Sequence, residues 1–109
     1  MIEEVDEEGV PCPPPPVFAD GEFRELKIVN RKGLHARATA KFVQCVDRFD
    51  AEISVTRCGE TVGGDSIMGI LTLGAGMGTT ITVAARGSQA REALDALSAL
   101  LADRFGEDE

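Results

Sequence analysis

The apolar residues of this chain fall into short segments, and each segment has only one apolar side. Residues 23–29 alternate through Leu26 and Ile28, which predicts a strand with one buried face. Residues 30–33, Asn-Arg-Lys-Gly, read as a turn. Between 36 and 49, Ala36, Ala40, Val43 and Val46 recur at helical spacing with Phe42 and Phe49 beside them, so an amphipathic helix is expected. Ile53 and Val55 mark a strand over 52–57, Cys58-Gly59-Glu60 a tight turn, and Thr61-Val62 the start of a partner strand that Gly63-Gly64-Asp65 breaks. Residues 66–73 suit a short helix, capped by Asp65 or Ser66. Gly74, Gly76 and Gly78 form a loop, and Ile81, Val83 and Ala85 alternate in a last strand over 80–85. Gly87-Ser88 opens the final helix, where Ala90, Ala93, Leu94, Leu97, Leu100 and Leu101 share one face.

The resulting order is β-α-β-β-α-β-α. One-sided elements bury their apolar sides economically when helices cover one face of a single sheet, so an α+β two-layer sandwich is expected. The turn at 58–60 requires antiparallel pairing of the strands it joins. With 109 residues the chain suffices for one small domain with its own core.

That domain is expected to span 22–106, between an N-terminal tail (1–21) and an acidic C-terminal end (107–109). The tail holds Glu3, Glu4, Asp6, Glu7 and Glu8, then Pro11 and the run Pro13–Pro16. Such a stretch buries too little apolar surface to offset the entropy of ordering, so disorder is expected. Its prolines favour extended polyproline II geometry. The net charge of -8 is unevenly spread. Of the nineteen acids, six lie in residues 1–21 and three at 107–109, which leaves ten against eleven bases in the body. Four of those bases, Arg31, Lys32, Arg37 and Lys41, fall within eleven residues. A basic cluster in a near-neutral body points to an anionic ligand or an acidic partner surface.

Several classes fall away. With no Trp, no Tyr and five Phe, stacking on single-stranded nucleic acid is disfavoured. No apolar run approaches the roughly 20 residues of a membrane span, and the acidic start does not resemble a secretory signal. A cytoplasmic, monomeric protein is expected. Cys12, Cys45 and Cys58 have no metal-ligand spacing and the chain has a single histidine, so neither a metal nor a cofactor is implied. The three cysteines are expected to be free thiols. The Gly74–Gly78 loop leads into a strand and lacks a following lysine, so it is a turn and not a nucleotide loop.

The single histidine, His35, follows the 30–33 turn and immediately precedes the first helix. The unpaired N–H groups of a helix N-terminus form a natural anion site. Arg37 can add a guanidinium fork for phosphate oxygens. Positive surroundings disfavour an imidazolium, and a neutral imidazole keeps a nucleophilic lone pair. A reversible covalent phosphoryl acceptor is therefore chemically sensible. Ser66, at the start of the second helix, reads either as a plain N-cap or as a modification site.

Residues 30–43, NRKGLHARATAKFV, resemble the histidine signature of HPr, the phosphocarrier of the phosphoenolpyruvate-dependent phosphotransferase system. Residues 64–75, GDSIMGILTLGA, resemble that family's serine signature, and the two motifs stand at the family's separation. The resemblance covers about residues 23–105. It implies an open-faced β-sandwich, with a four-stranded antiparallel sheet and three helices on one side. It implies that His35 accepts phosphate from phospho-Enzyme I and donates it to an Enzyme IIA-type protein, with Arg37 stabilising the phosphate. Ser66 matches the position modified by HPr kinase/phosphorylase in many members. Ala40, Ile67 and Met68 match apolar residues of the partner-docking surface. Such a protein is a shuttle and not a turnover enzyme. The family usually has proline where this chain has Ala38, and alanine suits a first helical turn as well. The alternatives are a non-transferring interaction module of the same fold, with its surface around Ser66, Ile67 and Met68, and a small-molecule-binding domain.

Overall fold

The computed structural model describes Gly9 and residues 11–109. The acids of the N-terminal tail at 3–8 lie outside the described residues. Four strands, β1 (Glu22–Lys27), β2 (Glu52–Arg57), β3 (Glu60–Gly63) and β4 (Thr80–Arg86), alternate with three helices, α1 (Ala36–Val46), α2 (Ile67–Thr72) and α3 (Ala90–Ala102). The strands form one antiparallel sheet in the order β1-β4-β2-β3. This is the open-faced α+β sandwich expected from the sequence, in the same element order.

Alternation sets the register. Ile53 and Val55 on β2 and Ile81, Val83 and Ala85 on β4 all point to the helix side and are buried. Each fully buried Ile or Val side chain contributes about 1.5–3 kcal/mol. Against this face α3 lays Ala93, Leu94, Leu97 and Leu101, and α1 lays Ala38, Phe42, Val43 and Val46. Two boundaries differ from the sequence expectation. β1 stops at Lys27, because Ile28 pairs with the facing loop: its N–H donates to Thr79 and its carbonyl accepts from Gly78. α1 stops at Val46, because Arg48 and Phe49 bond three residues back, to Cys45 and Val46.

The cysteines are not all free. Cys12 and Cys58 form a disulfide, and only Cys45 is a buried thiol, its ionisation opposed by burial. Odd numbers and spacing carry no pairing information, so the expectation of three thiols is corrected here. The disulfide ties residue 12 to the β2–β3 turn. At the other end of the same segment, Phe18 lies under the Arg86 guanidinium, 4.8 Å from ring centroid to cation, and Asp20 sits 3.9 Å from Arg86. Glu52 pairs with Arg86 in the sheet, so the two anchors stand at opposite ends of β2. An extended run of six residues at about 3.1 Å each reaches roughly as far as a six-residue strand. The 12–18 segment thus spans the length of β2, and the outward-pointing Thr56 and Ala84 on the helix-free face are buried.

The disulfide closes a loop with a sequence separation of 46. Loop-closure entropy for that length predicts stabilisation of about 2–4 kcal/mol. Thermal unfolding with and without a reductant checks this. A reduced protein that melts at the same temperature as the oxidised one contradicts it.

Candidate functional site

The site begins with a close approach between two loops. Gly33 has φ +65°, in the left-handed region open to glycine. A Cβ at Gly33 would lie 2.5 Å from the Ala75 carbonyl oxygen. Next to it, the Leu34 N–H donates to that same carbonyl at 2.9 Å. This contact fixes where the chain turns into α1. His35 is the N-cap residue, with φ -72° and ψ 177°, and its carbonyl accepts the Thr39 N–H at 2.9 Å. Its side chain does not cap the helix. The first-turn N–H groups are therefore left without a side-chain partner, which is the arrangement that favours an anion.

Ala38 occupies the first turn of α1 and is fully buried. The helix starts at Ala36 without the usual proline. Arg37 is exposed and, among the described residues, makes no hydrogen bond or ion pair. Arg31, Lys32, Arg37 and Lys41 line one side of a cleft of about 450 Å³, and residues 106–109 line the other. The four clustered bases thus share one site with the acidic C-terminus.

How the C-terminus arrives there is not legible in the sequence. After α3, Arg104 and Phe105 both take left-handed backbone, at φ 55° and 56°. Each such non-glycine residue costs roughly 1–2 kcal/mol. Phe105 offsets this by complete burial, worth about 1.5–3 kcal/mol, and its carbonyl accepts from Lys41 Nζ. The reversal delivers Glu107 to His35: Nε2 and Oε2 are 2.7 Å apart. The other carboxylate oxygen accepts from Asn30 Nδ2 at 3.2 Å, and that amide also donates to the Gly33 carbonyl. Farther on, Arg31 binds Glu109 twice, through its guanidinium at 2.7 Å and its backbone N–H at 3.0 Å. A carboxylate only accepts, so His35 Nε2 donates, and in the neutral ring Nδ1 holds the lone pair. Sequence reasoning missed Glu107, whose local context is a string of acids.

Ser66 is the N-cap of α2, and its hydroxyl accepts the Gly69 N–H at 3.1 Å. Of the two capping candidates, Ser66 serves and Asp65 does not. Ile67 and Met68 follow it with 44% and 71% of their surface exposed. Both belong to a helix that buries only Ile70, so they lie on its outer side. Ala40 is partly buried on α1, which packs against α2. Among the described residues no cluster of His, Cys, Asp and Glu could hold a metal ion, and no helix is long and apolar enough to cross a membrane.

The Glu107 carboxyl is held below its ordinary value of 4.5, first by the hydrogen bond from His35 and then by the one from Asn30, against partial desolvation. A depressed carboxyl stabilises the docked C-terminus fully above that ordinary value, and the effect is lost as pH falls through the lowered one. Contacts between residues 106–109 and the 30–41 segment, read by nuclear Overhauser effects, should therefore persist on acidification to 4.5 and be lost only below it. Release of the C-terminus at a higher pH contradicts this geometry.

The family profile described as PTS HPr component phosphorylation site matches residues 23–103. The phosphocarrier protein HPr of Cupriavidus necator is 46% identical over 86 residues, covering 79% of this chain and 97% of that protein. The phosphocarrier protein NPr of Shewanella violacea is 42% identical over 84 residues, covering 77% and 92%. Among solved structures, HPr-C-His from Thermoanaerobacter tengcongensis superposes with a TM-score of 0.78 at 38% identity, covering 81% of this chain and 99% of that one. Fold, motif and sequence agree: this chain belongs to the HPr family of phosphocarriers of the phosphotransferase system.

Proposed function

We propose that His35 accepts a phosphoryl group from phospho-Enzyme I on Nδ1 and passes it to an Enzyme IIA-type protein. The observation that carries this reading is the engagement of Nε2 with Glu107, which leaves the Nδ1 lone pair as the ring's nucleophile beside an uncapped helix N-terminus. Arg37, unpaired among the described residues, supplies the guanidinium for the phosphoryl oxygens. Both partners must reach one small site, so each docking is weak and fast. Ile67 and Met68 are exposed on α2, which packs against α1 with its Arg37 and Lys41, and this suits transient contact with acidic partners. In this reading the protein is a cytoplasmic monomer that shuttles phosphate.

Ser66 is the regulatory position in the same reading. Phosphate there adds about -1.5 to -2 charges beside the exposed Ile67 and Met68 and repels an acidic donor protein. A kinase of the HPr kinase/phosphorylase type is the implied partner. The non-transferring alternative draws on that same exposed apolar pair. In that case a His35→Ala variant would bind its partners and function as wild type does.

Incubation with phosphoenolpyruvate, magnesium and Enzyme I, read by intact mass, tests both residues. Wild type should gain one acid-labile phosphate and His35→Ala none. Ser66→Asp should load at least about tenfold more slowly, the equivalent of about 1.4 kcal/mol. Label on the His35→Ala variant sinks the carrier role of His35, and loading of Ser66→Asp at the wild-type rate sinks the regulatory role of Ser66.

A further inference from the structure

We propose that Glu107 is a positioning residue for His35. Its carboxylate fixes the ring's tautomer and stabilises the positive charge that the ring acquires when Nδ1 bonds to phosphorus. This deepens the carrier reading above and rests on it.

The contact is built on both sides. The Glu107 side chain is 18% exposed and that of His35 27%, so the bond between them is sheltered from water. One carboxylate oxygen takes the Nε2–H, and the other is held by the fully buried Asn30. Asn30 in turn holds the Gly33 carbonyl, two residues before the histidine. Upstream of Glu107, the left-handed pair Arg104-Phe105, the burial of Phe105 and the Lys41 bond set its approach. Downstream, the paired contacts of Arg31 with Glu109 close the end of the chain. A carboxylate anchored on both flanks orients an imidazole far better than a freely rotating one. The logic is that of a buried aspartate holding the base histidine in a nucleophile–histidine–acid triad.

The chemistry follows from the tautomer. The Nδ1 lone pair attacks phosphorus on the phosphorylated donor protein. The N–P bond forms as the bond to the donor atom breaks, and that electron pair stays with the donor. No proton leaves the ring, because Nε2 keeps its hydrogen. The ring therefore becomes a phosphorylated imidazolium, positive at Nε2–H and facing the carboxylate. In unloading, the acceptor takes the phosphoryl group, the N–P pair returns to Nδ1, and the imidazole is neutral again. The carboxylate interacts more strongly with the charged ring than with the neutral one. It speeds loading, and it lengthens the life of the loaded form.

Two readouts test this on the full chain labelled with 15N-histidine. The first is the ring N–H proton coupled to Nε2, which the hydrogen bond shields from exchange. Wild type should show it, Glu107→Ala should lose it, and Glu107→Gln, whose amide oxygen still accepts, should keep it. The second is the loading rate from phosphoenolpyruvate through Enzyme I. Glu107→Ala should load about tenfold more slowly than wild type, with Glu107→Gln in between, since it keeps the orientation and loses the charge. The proposal is overturned if the ring proton is equally protected in Glu107→Ala, or if either variant loads within twofold of wild type. A wild type that takes no phosphate sinks the carrier reading itself. A wild type that loads normally beside an equally fast Glu107→Ala sinks this proposal alone.

Discussion

The close approach of Gly33 to the Ala75 carbonyl is the constraint on which the site depends. Two loops at the same end of the sheet, one leaving β1 and one entering β4, meet there at backbone distance, and no Cβ fits between them. The next N–H, from Leu34, closes the contact. Because the chain turns at that point, α1 begins one residue after His35 and its N-terminus opens at the ring. Asn30 braces the same turn from below and reaches across to Glu107. A single backbone contact thus positions the nucleophile, the anion-binding helix end and the first link to the C-terminus.

Charge is organised around that point. The basic residues of 31–41 would repel one another in an empty cleft. The acidic C-terminus lies against them, with Arg31 paired to Glu109 and Glu107 on the histidine. Arg37 stays free of such pairing among the described residues, and it is the cation nearest in sequence to the reacting ring. A phosphoryl group therefore meets a free Arg37 beside cations that are already engaged, Arg31 by Glu109 and Lys41 by the Phe105 carbonyl. On the far side of the sheet, the Cys12–Cys58 disulfide and the Phe18–Arg86 stack hold the proline-rich segment along the strands. That face is where an open sandwich would otherwise leave its central strands bare.

The helix-side face of the sheet was legible because its signal is local. Alternation through Ile53 and Val55, and through Ile81, Val83 and Ala85, is a period-two pattern that only a half-buried strand explains. The stripe from Ala90 to Leu101 is equally direct. Errors arose where apolar spacing outran the backbone. Ile28 continued the alternation of β1 but pairs with a loop, and Phe49 continued the stripe of α1 beyond its last helical bond. The histidine motif was legible as chemistry, since one histidine, one arginine two residues on and a helix start suffice to suggest a phosphoryl site. Glu107 was not, because its partner lies 72 positions away. The left-handed turn that carries it runs through Arg104 and Phe105 into Gly106, and one glycine in the sequence does not announce two non-glycine residues in left-handed backbone before it. The disulfide was illegible for the same reason, as a pairing over 46 positions leaves no local trace.

The most direct test of this account asks which ring nitrogen carries the phosphate. The chain has one histidine, so a protein labelled with 15N-histidine and loaded through Enzyme I gives an unambiguous spectrum of one ring. Phosphorus coupled to Nδ1, with the proton still on Nε2, is the predicted result. Phosphorus coupled to Nε2 would mean that the Glu107 contact breaks before transfer, and it would contradict the geometry on which the mechanism is built.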